Sequence, residues 1–428
     1  MIPDRPKAAH AENRSLFRGL FLVNFAITLG FGIADAFFSL YVFSLGARGM
    51  LLGLPLVFYS LSKIILSPFM GAWADRIGRR KVAAVSLGLY LFVSVSYLFT
   101  TSLTLITLLR LLQGIGCAMF RPMVVSLVSE CTCDKRRATV MGTFDISFYG
   151  ALSLGPLVGG ILKDLWGFRG IFATLALLCI TALAVAFISI PSHKDASSQP
   201  THYETEHLWG LLNITRHSSL RGLLAFIFGR ACGISLLGAF LPIMLTARLG
   251  LNGTRAGLVM ASSTLVMTLL LRPMGMLSDR APRKSLVVAG GTAVSLLYFL
   301  IPVAAGFSQI LALAVGIGLF SVLSQPASTA LLVEEGSRHG MGATVGTFNS
   351  VLNLGFVSGP LLGAGLQTTL GLTAVFYAAG VMGLGAVVLF MVNVFYEEGG
   401  QTWKQPMTVY VSMSKKLQWS ERMDIEGQ

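Results

Sequence analysis

Twelve apolar stretches, each long enough to cross a bilayer at about 20 residues, follow one another from residue 19 to residue 395. They can be drawn at 19–45, 50–74, 82–100, 104–129, 138–163, 168–191, 221–247, 254–278, 285–306, 308–333, 342–367 and 371–395. A chain of this kind has to fold where water is absent. Of its 428 residues 54% are hydrophobic and 12% charged, and the mean hydropathy is +0.73, more apolar surface than a water-soluble core can hide. The expectation is an all-α membrane protein with twelve transmembrane helices.

The charged breaks between the stretches test that count. With the N-terminus in the cytoplasm, only Arg48, Lys163, Arg169, Arg248 and Arg255 of the loop cations fall outside, and the rest lie inside. The positive-inside rule favours this orientation, and a missed or extra span would invert half the pattern. Both termini are therefore placed in the cytoplasm, in a cell membrane of the bacterial inner-membrane kind. The net charge of +13 orients the chain and attracts anionic lipid; no nucleic-acid partner is expected. The apolar run after the polar residues 1–18 is too long for a signal-peptide core.

A second pattern divides the chain. Asp75-Arg76 recurs as Asp279-Arg280, and 279 − 75 = 204. The same offset relates Arg121-Pro122 to Gln325-Pro326, Gly142-Thr143-Phe144-Asp145 to Gly346-Thr347-Phe348-Asn349, and Gly155-Pro156 to Gly359-Pro360. The chain is a duplicated half. It divides into an N-terminal segment (1–18), a six-helix half (19–191), a linker (192–220), a second six-helix half (221–395) and a cytoplasmic tail (396–428). The linker holds His193, His202, His207 and His217, and Cys131 and Cys133 share a loop. Neither set has the ligands and rigid frame a metal site needs, so no metal and no cofactor is expected.

Three motifs stand in order along the first half. Gly71-x-x-x-Asp75-Arg76-x-Gly78-Arg79-Arg80 joins the second and third spans, Arg110-x-x-Gln113-Gly114-x-Gly116 lies in the fourth, and Gly155-Pro156-x-x-Gly159-Gly160 lies in the fifth. Together they resemble the major facilitator superfamily, over nearly all of residues 16–395, and the last is similar to the motif of its proton-coupled antiporters. The resemblance implies the major facilitator fold and a role for Gly71, Asp75, Arg76, Gly78, Arg79, Asp279 and Arg280 in latching the two halves. It also implies that Asp75 meets the start of the eleventh helix and that Glu130 pairs with one of the arginines. Gly155, Pro156, Gly159, Gly359 and Pro360 read as close-packing and bending positions, because proline removes a backbone donor.

Seven ionisable residues fall well inside the predicted spans: Asp35, Lys63, Arg110, Arg121, Asp145, Arg230 and Arg272. Each is costly in lipid unless paired or wetted. Depth along the helices, at about 1.5 Å per residue, puts Asp35 and Arg110 together in the outer half and Asp145 and Arg121 together in the inner half. These two pairs are the candidates for proton coupling. Helical phase adds Asn24, Thr28 and Phe31 to the face of Asp35, Tyr149 to that of Asp145, and Asn349 and Asn353 to the matching face of the second half. Gln113, Gln325, Tyr59 with Lys63, and Phe226 with Arg230 complete the substrate-cavity candidates. Five cations against two carboxylates predict a substrate that is anionic, zwitterionic or carboxylate-bearing.

The reading is a monomeric secondary transporter that exchanges protons for a small organic compound by alternating access, expelling a drug or metabolite. Its rivals are a symporter or uniporter importing a nutrient, and a non-transporting membrane sensor or enzyme. No Ser/His/Asp set, metal cluster or phosphate loop supports an enzyme.

Overall fold

The computed structural model describes residues 5–130, 137–190 and 218–402, without the side chains at 5–14, 68, 71–76, 126, 129–130, 137–139, 141–142, 339, 341–343 and 395–402. Cys131, Cys133, the linker histidines and the tail beyond residue 402 lie outside the described residues. The rest forms eleven α-helices: α1 (Arg5–Ser44), α2 (Met50–Ile77), α3 (Arg79–Phe99), α4 (Leu103–Glu130), α5 (Arg137–Ser189), α6 (Ser218–Ile243), α7 (Gly253–Arg280), α8 (Arg283–Leu300), α9 (Phe307–His339), α10 (Met341–Thr369) and α11 (Leu372–Thr402). A π-helical turn at Met244–Arg248 extends α6, and a 3-10 turn at Ile301–Val303 extends α8.

The count of eleven against twelve predicted spans has one local cause. At 53 residues α5 is too long for a single crossing, and it breaks at Gly167, where φ is 64° and ψ is −160°. Only glycine takes that conformation without strain. Its two arms carry the fifth and sixth predicted spans. Among the described residues ten stretches are long and apolar enough to cross a membrane, and Thr143–Ser189, the bent α5, is one of them; α10 carries the predicted span at 342–367. Large apolar side chains stand outward along the bundle, Phe99 at 84% and Ile188 at 86% exposed, as a lipid-facing surface requires.

In the first half α5 lies along α1, α2 lies along α4, and α3 touches both α4 and α5. In the second half α6 packs on α10 and α11, while α9 packs on α7 and α8. The halves meet along α5–α7 and along α2–α10. Those two seams are copies of each other. A Cβ on Gly257 of α7 would fall on the Pro156 carbonyl oxygen of α5, and a Cβ on Gly53 of α2 would fall on the Pro360 carbonyl oxygen of α10. Since 257 − 53 = 204 and 360 − 156 = 204, the offset in the chain reappears as a two-fold relation in space.

These contacts sharpen the expected role of the Gly-Pro motifs. Inside α5 the non-helical dihedrals fall at Gly167, not at Pro156. Gly155 and Gly159 rest on the Gly32 and Ile33 backbone of α1, while Pro156 and Gly160 turn toward Gly257 and Gly253 of α7. The motif is a two-sided packing surface that holds α5 to its own half on one face and to the other half on the opposite face. In α10 Gly359 likewise lies against Cys232 and Ser235 of α6.

The turn at Gly78 shows how the copies diverged. Gly78 caps the start of α3 with φ at 98°, whereas its counterpart Pro282 caps α8 with φ at −60° and ψ at 111°. One turn needs glycine and the other suits proline, so the mismatch between the repeats is a change of turn chemistry.

Candidate functional site

The site begins on α1 and α4. Arg110 is 1% exposed, and its Nη1 donates to Asp35 Oδ1 at 2.6 Å and to Gln113 Oε1 at 3.0 Å. The guanidinium carbon lies 3.4 Å from the centre of the Phe38 ring and 5.8 Å from that of Tyr59. Tyr97 donates to the same Gln113 oxygen at 3.4 Å. Arg110 Nε and Nη2 are buried without a hydrogen-bond partner, so Asp35 is the anion that balances the charge, and its side chain is 40% exposed. The pair therefore joins a solvent-reached carboxylate to a buried guanidinium. Helical phase and depth had placed this pair; the Phe38 ring under the guanidinium and the Tyr97 bond to Gln113 had no signal in the pattern of charges.

The second predicted pair is looser. Arg121 stands 4.6 Å over the Phe148 ring and acts on Asp145 electrostatically, but the two make no contact ion pair. Both side chains are exposed.

Among the cavity candidates, Tyr59 and Lys63 come together, with Lys63 Nζ 5.9 Å from the Tyr59 ring centre, so that Tyr59 has two cations near its ring. Phe31 meets Tyr90 edge-on at 4.6 Å, with Thr28 half-buried one turn away. Asn24 is turned inward and donates to Ser147 Oγ at 2.7 Å, tying α1 to α5. Asn353 donates to the Asn349 carbonyl at 2.8 Å within α10. Gln325 Oε1 is buried with no hydrogen-bond partner. Arg272 is exposed on α7.

Phe226 and Arg230 of α6 face a cavity shared with α8, α9 and α11. Tyr149 of α5 lies within electrostatic reach of Arg230, while the cavity itself is lined by the second half.

Of the latch candidates, Gly71, Asp75, Arg76 and Glu130 have side chains outside the described residues. The second copy shows the pairing the resemblance implies for the first. Arg283 contacts Glu334 at 3.3 Å and Asp279 at 3.9 Å, and these residues stand 204 positions beyond Arg79, Glu130 and Asp75. Arg280 is exposed. This clasp lies wholly in the second half, joining the end of α7, the start of α8 and the end of α9.

A contact between the halves that no motif announced lies at the opposite end of the bundle. Asp164, in the turn before Gly167, accepts from Gly253 N at 2.6 Å, Thr254 N at 2.7 Å and Thr254 Oγ1 at 2.7 Å. A carboxylate from the first half thus caps the N-terminus of α7 in the second, beside the α7 cap made by Asn252. Burial pushes the Asp164 carboxyl up, but the hydrogen bonds from Thr254 and Gly253, with Lys163 alongside, outweigh it and hold its pKa below the ordinary value. The offset of 204 would have pointed here: it carries Asp164 to Thr368 and Gly253 to Gly49, and Thr368 lies against Gly49.

Fold and site together define a multi-pass membrane protein of two repeated halves, with a buried ion pair inside the first. The sequence profile of the Major Facilitator Superfamily matches residues 20–230 and 223–420, and the chain belongs to that family of transporters. It is 24% identical over 385 residues to Multidrug resistance protein 2 of Bacillus subtilis (strain 168), covering 89% of this chain and 96% of that one. It is 27% identical over 404 residues to Multidrug resistance protein MdtG of Proteus mirabilis (strain HI4320), covering 90% and 96%. Its fold is similar to that of the nucleoside transporter NupG, with a TM-score of 0.74 at 14% identity over 89% of this chain and 99% of that one. The protein is a transporter and not an enzyme.

Proposed function

We propose that the protein is a proton-coupled efflux antiporter of a small organic compound, working as a monomer by alternating access of a site between its halves. The Asp35–Arg110 pair carries this reading. Protonating Asp35 removes the one carboxylate on a buried guanidinium, so a proton changes which packing of α1 on α4 is favoured, and a substrate can compete for the cation that is released. The efflux direction is supported by the relatives named for multidrug resistance.

In this reading both termini lie in the cytoplasm of a bacterial cell, and the Asp164 cap closes the outer end. Asp75 and the basic cluster after it latch the inner end in the opposite state, aided by the Arg79–Glu130 counterpart of the Arg283–Glu334 contact.

Transport by the purified protein in liposomes, with a proton gradient imposed in either direction, tests it. Flux of a membrane-impermeant organic anion such as benzenesulfonate should run against the proton flow. Flux in the same direction as the protons identifies a symporter, and flux that ignores the gradient removes the coupling.

A further inference from the structure

We infer that the cavity at Arg230 is a subsite for the carboxylate of a small organic acid, with the acid's apolar body against Phe226 and Tyr298. The inference deepens the transport reading and rests on it for the admission of a small molecule to this cavity. The cavity is a narrow recess, and the roughly 400 Å³ of empty space around it includes open solvent, so it is sized for a carboxylate group and not for a whole drug-like molecule.

The polar groups that line it are an unmatched set. Arg230 makes no hydrogen bond and no ion pair among the described residues, and the groups that act on it electrostatically are Tyr298 and Tyr149, neither of them an anion at neutral pH. Arg110 has Asp35 and Gln113; Arg230 has no such partners. Ser295 and Ser324 commit their hydroxyl protons to the carbonyls of Gly291 and Ser321. The hydroxyls of Ser321 and Tyr298 make no such bond, and both residues line the cavity. A guanidinium with two uncommitted hydroxyls, and no carboxylate to oppose them, favours an anion held by two oxygens. The apolar walls raise the cost of leaving the charge unmatched and exclude strongly hydrated ions.

The chemistry is also absent from the repeat. The offset of 204 carries Arg230 to Ala26 and Tyr298 to Ser94. This cation belongs to one half only, as expected of a group that serves a ligand and not the shared framework.

Titration calorimetry on the full-length protein in lipid nanodiscs tests the subsite, with benzoate and its neutral isostere benzamide as probes. Benzoate is expected to bind at least about tenfold more tightly than benzamide, Arg230→Gln to erase that difference, and Arg230→Lys to keep part of it. Tyr298→Phe and Ser321→Ala should each weaken benzoate by a few-fold and leave benzamide unchanged. Those two variants carry the test if Arg230→Gln fails to elute as a single species. The subsite is overturned if benzamide binds as tightly as benzoate, if Arg230→Gln binds benzoate like the parent, or if the parent binds no benzoate. No proton gradient enters the measurement, so failure of proton-driven export leaves its outcome untouched, and loss of binding leaves the direction of coupling to the liposome assay.

Discussion

A single hydrogen bond separates the two ways Arg110 can exist. With Asp35 ionised, the guanidinium has its counter-ion at 2.6 Å; without it, a charge 1% exposed retains Gln113 and two aromatic faces. Asp35→Asn should therefore abolish most proton-driven transport and lower stability by about 1–3 kcal/mol. That figure is below the full cost of orphaning a buried charge because the carboxylate is half in water. Adding Arg110→Gln to Asp35→Asn should restore part of the stability and none of the coupling, which thermal unfolding and liposome flux read separately. Asp145→Asn, at an exposed carboxylate without a contact partner, should cost under about 0.5 kcal/mol. Equal destabilisation by the two Asp→Asn changes would mean that the Arg121 pair closes as tightly as the Arg110 pair.

Helices α5 and α7 meet through one carboxylate cap, a ladder of small residues and, further along, a Ser153–Thr268 hydroxyl contact at 3.1 Å, and the cap and the ladder act differently. The cap is electrostatic. Because its pKa is held below the ordinary carboxylate value, the stabilisation is fully present above that value and is lost only as pH falls through the lowered one. Between about pH 8 and pH 5 the cap should not titrate, and a pH dependence of transport in that window belongs elsewhere. Asp164→Ala should separate the Asp164 end of α5 from the start of α7, read as a longer distance between spin labels on the two helices, with transport slowed a few-fold. An unchanged distance would show that the glycine ladder alone holds this end. The ladder is steric: Gly257→Val has no room beside the Pro156 carbonyl and should open the same end far more than the loss of the cap does.

Across the whole molecule, the two-fold relation makes a prediction that a single interface cannot. Gly53→Val on α2 and Gly257→Val on α7 strike equivalent carbonyls, those of Pro360 and Pro156. Each should reduce transport and shift the spin-label distances by a similar amount. A tolerant Gly53 beside an intolerant Gly257 would mean that one seam carries the closure. Much of this architecture was legible before any packing was known. The apolar runs, the offset of 204, the basic breaks and the Asp35–Arg110 pair follow from hydropathy, spacing and helical rise, which act over a few turns of one chain segment. Other expectations depended on side-chain direction and on distances between helices. Depth put Arg121 beside Asp145 no less firmly than Arg110 beside Asp35, yet only the latter pair touches. Asn24, counted as a cavity residue, turns into the α1–α5 seam, and the close packing expected of the Gly-Pro motif is made to both halves, while the non-helical break falls at Gly167. Asp164 carried no expectation until α7 was brought to it from 89 residues away. Local patterning was enough to establish the membrane-spanning helices, their duplication and the family resemblance, because lipid and helix geometry constrain each segment on its own. Which charges meet, which glycines face the other half and where Arg230 is left without a partner among the described residues were settled only when the helices packed, because those contacts depend on both sides at once.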